Sequence, residues 1–401
     1  MIDKKCFTTG WIQKKSTGLN NKDRNMIEEE MNAEPSPVHT EVKPHYVVLD
    51  GLRGVAALMV LVFHVYDACS ANIIPHGYLA VDLFFLLSGF VIGYAYDDRW
   101  SRGLSVKMFF RRRLVRLHPM VLAGTALGGT VFLIQGHSMW DETVVSLFYT
   151  FVAILCTMLM LPTLPGMPTE VRGLGEYFPL NGPFWSLFYE YIGNVLYALL
   201  LRRLSIRLLA LLCVLSGGCV LYASLCCGYL GVGWSAADGG WWFGFVRMLF
   251  PYTMGMLMAR KFCSLKVHGA FWICGAMILA AGLMPVFGGE ERPWLNGLYD
   301  FLCCVFLFPT IIWLGASDVG SGRYTLGLSR RLGELSYPLY AIHYPLMCLL
   351  FGTLGFDGNL LSPDIVLTQW QLALTMVLTS VVLAWLLLKF YDEPVRRRLS
   401  K

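Results

Sequence analysis

LDGLRGVAALMVLVFHV (residues 49–65) and, after a short loop, GYLAVDLFFLLSGFVIGY (77–94) are two segments apolar enough to cross a bilayer, yet they carry Asp50, Arg53, His64 and Asp82. An ionisable side chain in such a segment is expensive, so it marks a functional-site candidate. On a helix, positions eleven apart differ by about 20° in azimuth, so Arg53 and His64 share a face. Asp50 falls about 40° to the other side of His64 and roughly 21 Å away along the axis. A hairpin loop centred near residue 73 would bring His64 and Asp82 to matching depth. A carboxylate opposite an imidazole fixes its tautomer and stabilises its charged form, the pairing that general-base chemistry uses. The competing reading is a hydrogen bond that only packs two helices.

The rest of the chain has the same character. It is 401 residues long, 56% hydrophobic and 15% charged, with a mean hydropathy of +0.55. Soluble domains carry about 25% charge, so the whole chain is shifted toward a membrane class. The expectation is an all-α, polytopic membrane helix bundle over 45–395. Residues 1–44 are polar and mixed in charge (Lys4, Lys5, Lys14, Lys15, Glu28, Glu29, Glu30, with Pro35 and Pro37), which reads as a disordered cytosolic tail rather than a cleavable signal peptide. The net charge of +5 sits in clustered loops. It therefore reports topology and a membrane-lipid surface, not a nucleic-acid partner. Twelve cysteines form no CxxC or Cys/His ligand spacing, so no metal is expected.

Apolar stretches run over 46–66, 78–96, 119–135, 144–161, 183–201, 207–228, 241–259, 268–287, 297–315, 335–352 and 367–390. Basic clusters at 97–116, at Arg202, Arg203 and Arg207, at Arg260, Lys261 and Lys266, at Arg323, Arg330 and Arg331, and at Arg396–Arg398 mark cytosolic loops. Both termini then face the cytosol across a plasma (inner) membrane, which needs an even number of crossings. Eleven candidates conflict with that, and the conflict localises to 119–161. The reading is about ten full spans with one re-entrant segment. The Pro-rich stretch 162–182 becomes a long external loop.

In KMFFRRRLVRLHP (107–119), Lys107 and His118 lie about 20° apart on a helix, some 16 Å along it, with Arg111 on the same side. Such a basic helix end suits anionic lipid headgroups or a phosphate-rich cosubstrate, or simply reports topology. Ser186 and Glu190 of PFWSLFYEYIGNVLY are i,i+4; Glu190 needs a partner, and Arg53 or a histidine is expected. His343 stands between Pro338 and Pro345 in LGELSYPLYAIHYPL, where kinked helices line pockets. The closing YDEPVRRRL is read as a structural exit motif. Neither GxSxG nor a phosphate-binding GxxxxGK[ST] loop occurs. Ser88-Gly89 reads as a small-residue packing site.

Taken in order, LDGLRGVAALMVLVFH, GYLAVDLFFLLSGFVI, Lys107-x10-His118, FWSLFYE, SYPLYAIHYP and the final DEP resemble the acyltransferase-3 family of integral membrane acyltransferases. The resemblance implies transfer of an acyl group, usually acetyl, from acyl-CoA to a hydroxyl of a cell-surface carbohydrate or glycolipid. Acyl-CoA is then a cosubstrate, and no bound cofactor is implied. It also makes His64 the essential histidine and Lys107 with His118 the family's Arg/Lys-x10-His motif. Lys in place of the commoner Arg keeps the charge and loses the bidentate fork. Some relatives carry a further soluble domain; with the sequence ending at Lys401, transfer is expected to be completed by the bundle or by a separate protein. The resulting scheme docks acyl-CoA on Lys107, Arg111, Arg113 and Arg116. His64, oriented by Asp82, activates the acceptor, and Arg53, Glu190 and His343 line the path. Intramembrane His, Arg and Glu also serve proton-coupled transporters and flippases, which stand as the alternative class.

Overall fold

A computed structural model describes residues 45–68, 73–135, 144–164, 167–172, 175–236, 240–354 and 368–400. The expected tail 1–44 and the 136–142 loop lie outside the described residues. Among those described, helices are joined by loops, and the only extended pairings are two isolated bridges, Glu176 with Ser235 and Val267 with Asp318. The helices are α1 Val47–Ala68, α2 Ala80–Ser101, α3 Val106–Gln135, α4 Leu147–Met158, α5 Phe184–Leu199, α6 Ile206–Cys227, α7 Gly240–Lys261 and α8 Ala270–Leu283. Next, α9 Trp294–Leu302 continues through a π turn into α10 Phe308–Ala316. The chain closes with α11 Arg323–Leu354, α12 Gln369–Leu387 and, past a second π turn, α13 Glu393–Leu399.

Among the described residues, seven helical stretches are long and apolar enough to cross a membrane, against the ten expected. Two further helices are long: α7, with Arg247 inside it, and α11, whose Arg330, Arg331 and Glu334 precede an uncharged stretch over 335–354. The place of the expected partial segment holds α4, whose twelve residues rise about 18 Å against roughly 30 Å of hydrocarbon. Helix ends also differ from hydropathy ends. The basic stretch 97–116, expected as a loop, is helix except for a short turn between Ser101 and Val106, and Arg323, Arg330 and Arg331 lie inside α11. Charge stops an apolar run but not a helix, because Arg and Lys are good helix formers.

Glycines set the closest helix contacts. A Cβ on Gly51 would fall 2.6 Å from the Ser329 Cβ, one on Gly54 would fall 2.6 Å from the Leu332 Cβ, and one on Gly333 would fall 2.6 Å from the Asp50 Cβ. Thus α1 and α11 touch backbone to backbone. They run parallel, since residue 51 meets 329, 53 meets 336 and 64 meets 343. Likewise α2 and α7 close on each other where Gly89 abuts the Tyr252 carbonyl and Gly255 abuts the Leu86 carbonyl. Small residues at such contacts are how helices associate in lipid. One continuous core fills the bundle. A smaller cluster of Phe132, Ala153, Val171 and Leu180 seats the 162–182 loop on α3 and α4. Leu211, Val214 and Leu215 of α6 and Leu374, Leu378, Val382 and Trp385 of α12 stay exposed, an apolar exterior suited to lipid.

Candidate active site

The α1–α11 contact brings His64 and His343 together. His343 Nδ1 faces the Leu339 carbonyl at 3.1 Å and the Tyr340 carbonyl at 2.9 Å. Carbonyls only accept, so in the neutral ring Nδ1 carries the proton and Nε2 the lone pair. His64 Nδ1 lies 3.0 Å from the Val60 carbonyl and 3.3 Å from His343 Nε2, again two acceptors. It therefore also carries its proton, an assignment made from the partners. That leaves His64 Nε2 as the nitrogen able to take a proton. The Tyr344 ring stands edge-on to His64 with centroids 5.9 Å apart.

Asp82, expected opposite His64, is not its partner. The carboxylate is held by Arg247, whose Nε donates to Oδ1 at 3.0 Å and whose Nη2 donates to Oδ2 at 2.8 Å. Both side chains are 2% exposed. Arg247 also donates to the carbonyls of Val232 (3.0 Å) and Tyr78 (2.9 Å). A bidentate, buried guanidinium satisfies a carboxylate far better than one imidazole can. Next to this pair, Asp300 binds His76 Nδ1 at 3.0 Å, the Tyr78 hydroxyl at 2.8 Å and the Leu230 amide at 2.8 Å. Arg247 and Asp300 escaped the sequence reading, although both are ionisable residues in apolar helices and the criterion that singled out Asp82 applies to them equally.

About 16 Å along α1 from His64 lies a second polar group. Arg53 Nη1 pairs with Asp50 at 3.0 Å, while its Nε donates to Ser336 Oγ at 2.9 Å and its Nη2 to the Gly333 carbonyl at 3.0 Å. Glu190 takes Arg113 Nη2 at 2.6 Å and Ser88 Oγ at 3.2 Å, so its partner is Arg113, not Arg53 or a histidine. Arg116 has an exposed side chain yet interacts electrostatically with Arg113, Arg53, Glu190 and Asp50. Arg116 is thus accessible while standing near charged groups of α1, α3 and α5. Three guanidinium groups meet two carboxylates there, leaving an excess of positive charge.

The remaining sequence candidates are dispersed. Lys107 and Arg111 are exposed nearer the start of α3, with Arg111 donating to the Leu399 carbonyl at 3.2 Å. His118 Nδ1 meets the Tyr191 hydroxyl at 3.2 Å. Ser186 bonds Tyr340 at 2.6 Å. Among the described residues no cluster of His, Cys, Asp and Glu could hold a metal ion.

The geometry can be set beside known proteins. A family model described as an acyltransferase domain matches residues 46–389. The chain is 25% identical to the acyltransferase MdmB of Streptomyces mycarofaciens, over 88% of this chain and 92% of that protein. It is 33% identical to protein 2 in the picA locus of Rhizobium radiobacter, over 38% of this chain and 81% of that one. The peptidoglycan O-acetyltransferase OatA of Listeria monocytogenes is 25% identical over 87% of this chain and 55% of its own length. No solved structure matches the chain significantly.

Proposed function

This chain belongs to the acyltransferase-3 family, as an integral membrane O-acyltransferase, and from that premise we propose that it moves an acetyl group from acetyl-CoA to a carbohydrate or glycolipid hydroxyl at the cell envelope. The observation that carries this reading is the placement of two chemically different groups on one parallel helix pair. A histidine whose Nε2 has no hydrogen-bond partner among the described residues stands at one end of the α1–α11 contact. An arginine cluster with excess positive charge stands at the other. Guanidinium groups bind phosphate bidentately, and the CoA nucleotide carries several phosphates. Arg53, Arg113 and Arg116 hold that nucleotide, Lys107 and Arg111 attract it at the surface, and an extended pantetheine arm carries the thioester along α1 toward His64.

His64 Nε2 takes the proton of the acceptor hydroxyl as its oxygen attacks the thioester carbonyl. The C–S bond breaks, and the proton passes from His64 to the leaving CoA thiolate. His343 fixes the His64 tautomer, the role that the sequence alone suggests for Asp82. In this scheme both termini face the cytosol of a plasma-membrane protein, the donor enters from that side, and the basic ends of α3 and α11 lie against it.

The donor half is tested by Arg116→Ala, which removes the accessible guanidinium and breaks no ion pair among the described residues. The concentration of labelled acetyl-CoA giving half-maximal transfer in nanodiscs is expected to rise about tenfold, the worth of one charge-assisted contact. An unchanged donor requirement would remove the arginine cluster from the donor path.

A further inference from the structure

The 162–182 loop delivers a carboxylate to the histidine pair. The Glu176 carboxylate accepts from the Tyr344 hydroxyl at 2.7 Å, across 168 residues of sequence. Tyr344 is the ring that stands against His64, so one side chain separates the carboxylate from the reacting nitrogen. The loop is fixed there at several points. Asn181 Nδ2 donates to the Ala341 carbonyl at 2.8 Å, the Thr163 amide to the Tyr177 carbonyl at 2.8 Å, and the Tyr177 amide to the Trp234 carbonyl at 3.1 Å. Gly182 packs on both Glu176 and Tyr344, where a Cβ would fall 2.9 Å from Oε1.

Glu176 is 4% exposed, yet among the described residues its second oxygen, Oε2, has no hydrogen-bond partner. A buried carboxylate oxygen left unsatisfied costs the desolvation of a charged acceptor, and loop clamping alone needs only Oε1. The charged and titratable groups facing Glu176 are Tyr344 and Cys348 from α11 and Arg172 and Glu170 from its own loop. Burial pushes its carboxyl up to about 7, against the opposing pull of Tyr344 and Arg172.

We propose that Glu176 Oε2 and the Tyr344 hydroxyl oxygen form the acceptor subsite, binding neighbouring hydroxyls of a polyhydroxylated substrate while His64 activates another. This rests on the acyltransferase reading. Carboxylates accept from vicinal hydroxyls, and a tyrosine whose proton is given to Glu176 keeps its lone pairs for a donor from the substrate. The arginine cluster lies at the other end of α1, so the two substrates approach His64 from opposite sides.

The test uses the full chain in nanodiscs with labelled acetyl-CoA and soluble fragments of cell-envelope glycan. Glu176→Gln is expected to raise the half-saturating fragment concentration at least tenfold and leave that of acetyl-CoA unchanged. In the unsubstituted protein acceptor affinity should strengthen as pH rises through about 7, because the ionised carboxylate is the better acceptor. Glu176→Gln should lose that dependence. Tyr344→Phe keeps the ring, and is expected to show the same acceptor defect if Glu176→Gln does not fold. Unchanged acceptor saturation in a folded variant, or a defect in acetyl-CoA saturation instead, would overturn the subsite. Absence of CoA release by folded unsubstituted protein would overturn the acyltransferase reading beneath it.

Discussion

Asp82 and His64 illustrate what a single residue discloses. Both stand out in the sequence because an ionisable group in an apolar helix needs a partner, and both do have one. The partners differ from the expected ones for a reason of scale: Arg247 is 165 residues from Asp82 and His343 is 279 from His64, and no periodicity reaches that far. Glu176 was invisible for another reason, since a glutamate in a polar loop carries no signal until the loop is folded onto α11. The Asp82–Arg247 pair should matter for stability first. Asp82→Asn leaves a buried guanidinium charge uncompensated, which costs about 3–5 kcal/mol. A markedly lower unfolding temperature is expected, with much of it recovered when Arg247→Met is added. If Asp82→Asn instead abolished transfer at an unchanged unfolding temperature, Asp82 would belong to the chemistry after all.

At the level of helices, existence was legible and boundaries were not. The apolar runs located most of the bundle, but Lys107 to Gln135 form one helix in which Pro119 is an interior residue, where hydropathy places a break. The glycines of DGLRG were legible as residues, while their purpose needed the second helix. They let α1 and α11 approach until Arg53 reaches Ser336 and His64 reaches His343. Gly54→Ala should therefore force the pair apart and cost about 1–3 kcal/mol, as overpacking does. Gly218 of α6 has nothing within 4 Å of where a Cβ would lie. Gly218→Ala should stabilise by about 0.5–1 kcal/mol through helix propensity alone. Thermal unfolding of the two variants in detergent checks the contrast; equal effects would mean that close approach of α1 and α11 is not what Gly54 provides.

Across the whole molecule, the proposed function rests on two binding chemistries separated along one helix pair. In the proposed scheme a phosphate-bearing donor enters where positive charge gathers, and the His64 imidazole stands about 16 Å further along α1. The 162–182 loop closes the far side with Glu176 and Tyr344. Family membership and the all-helical class could be read from ordered motifs, since each motif is local. The proposed division into donor and acceptor ends could not, because it depends on α3, α5 and α11 converging on α1. The measurement that bears most directly on this account supplies radiolabelled acetyl-CoA and crude envelope glycans to purified protein in nanodiscs, comparing the unsubstituted chain with His64→Ala at equal unfolding temperature. The account predicts label in a glycan fraction with the former and a loss of about 10²–10⁴-fold with the latter; equal labelling by both would contradict it.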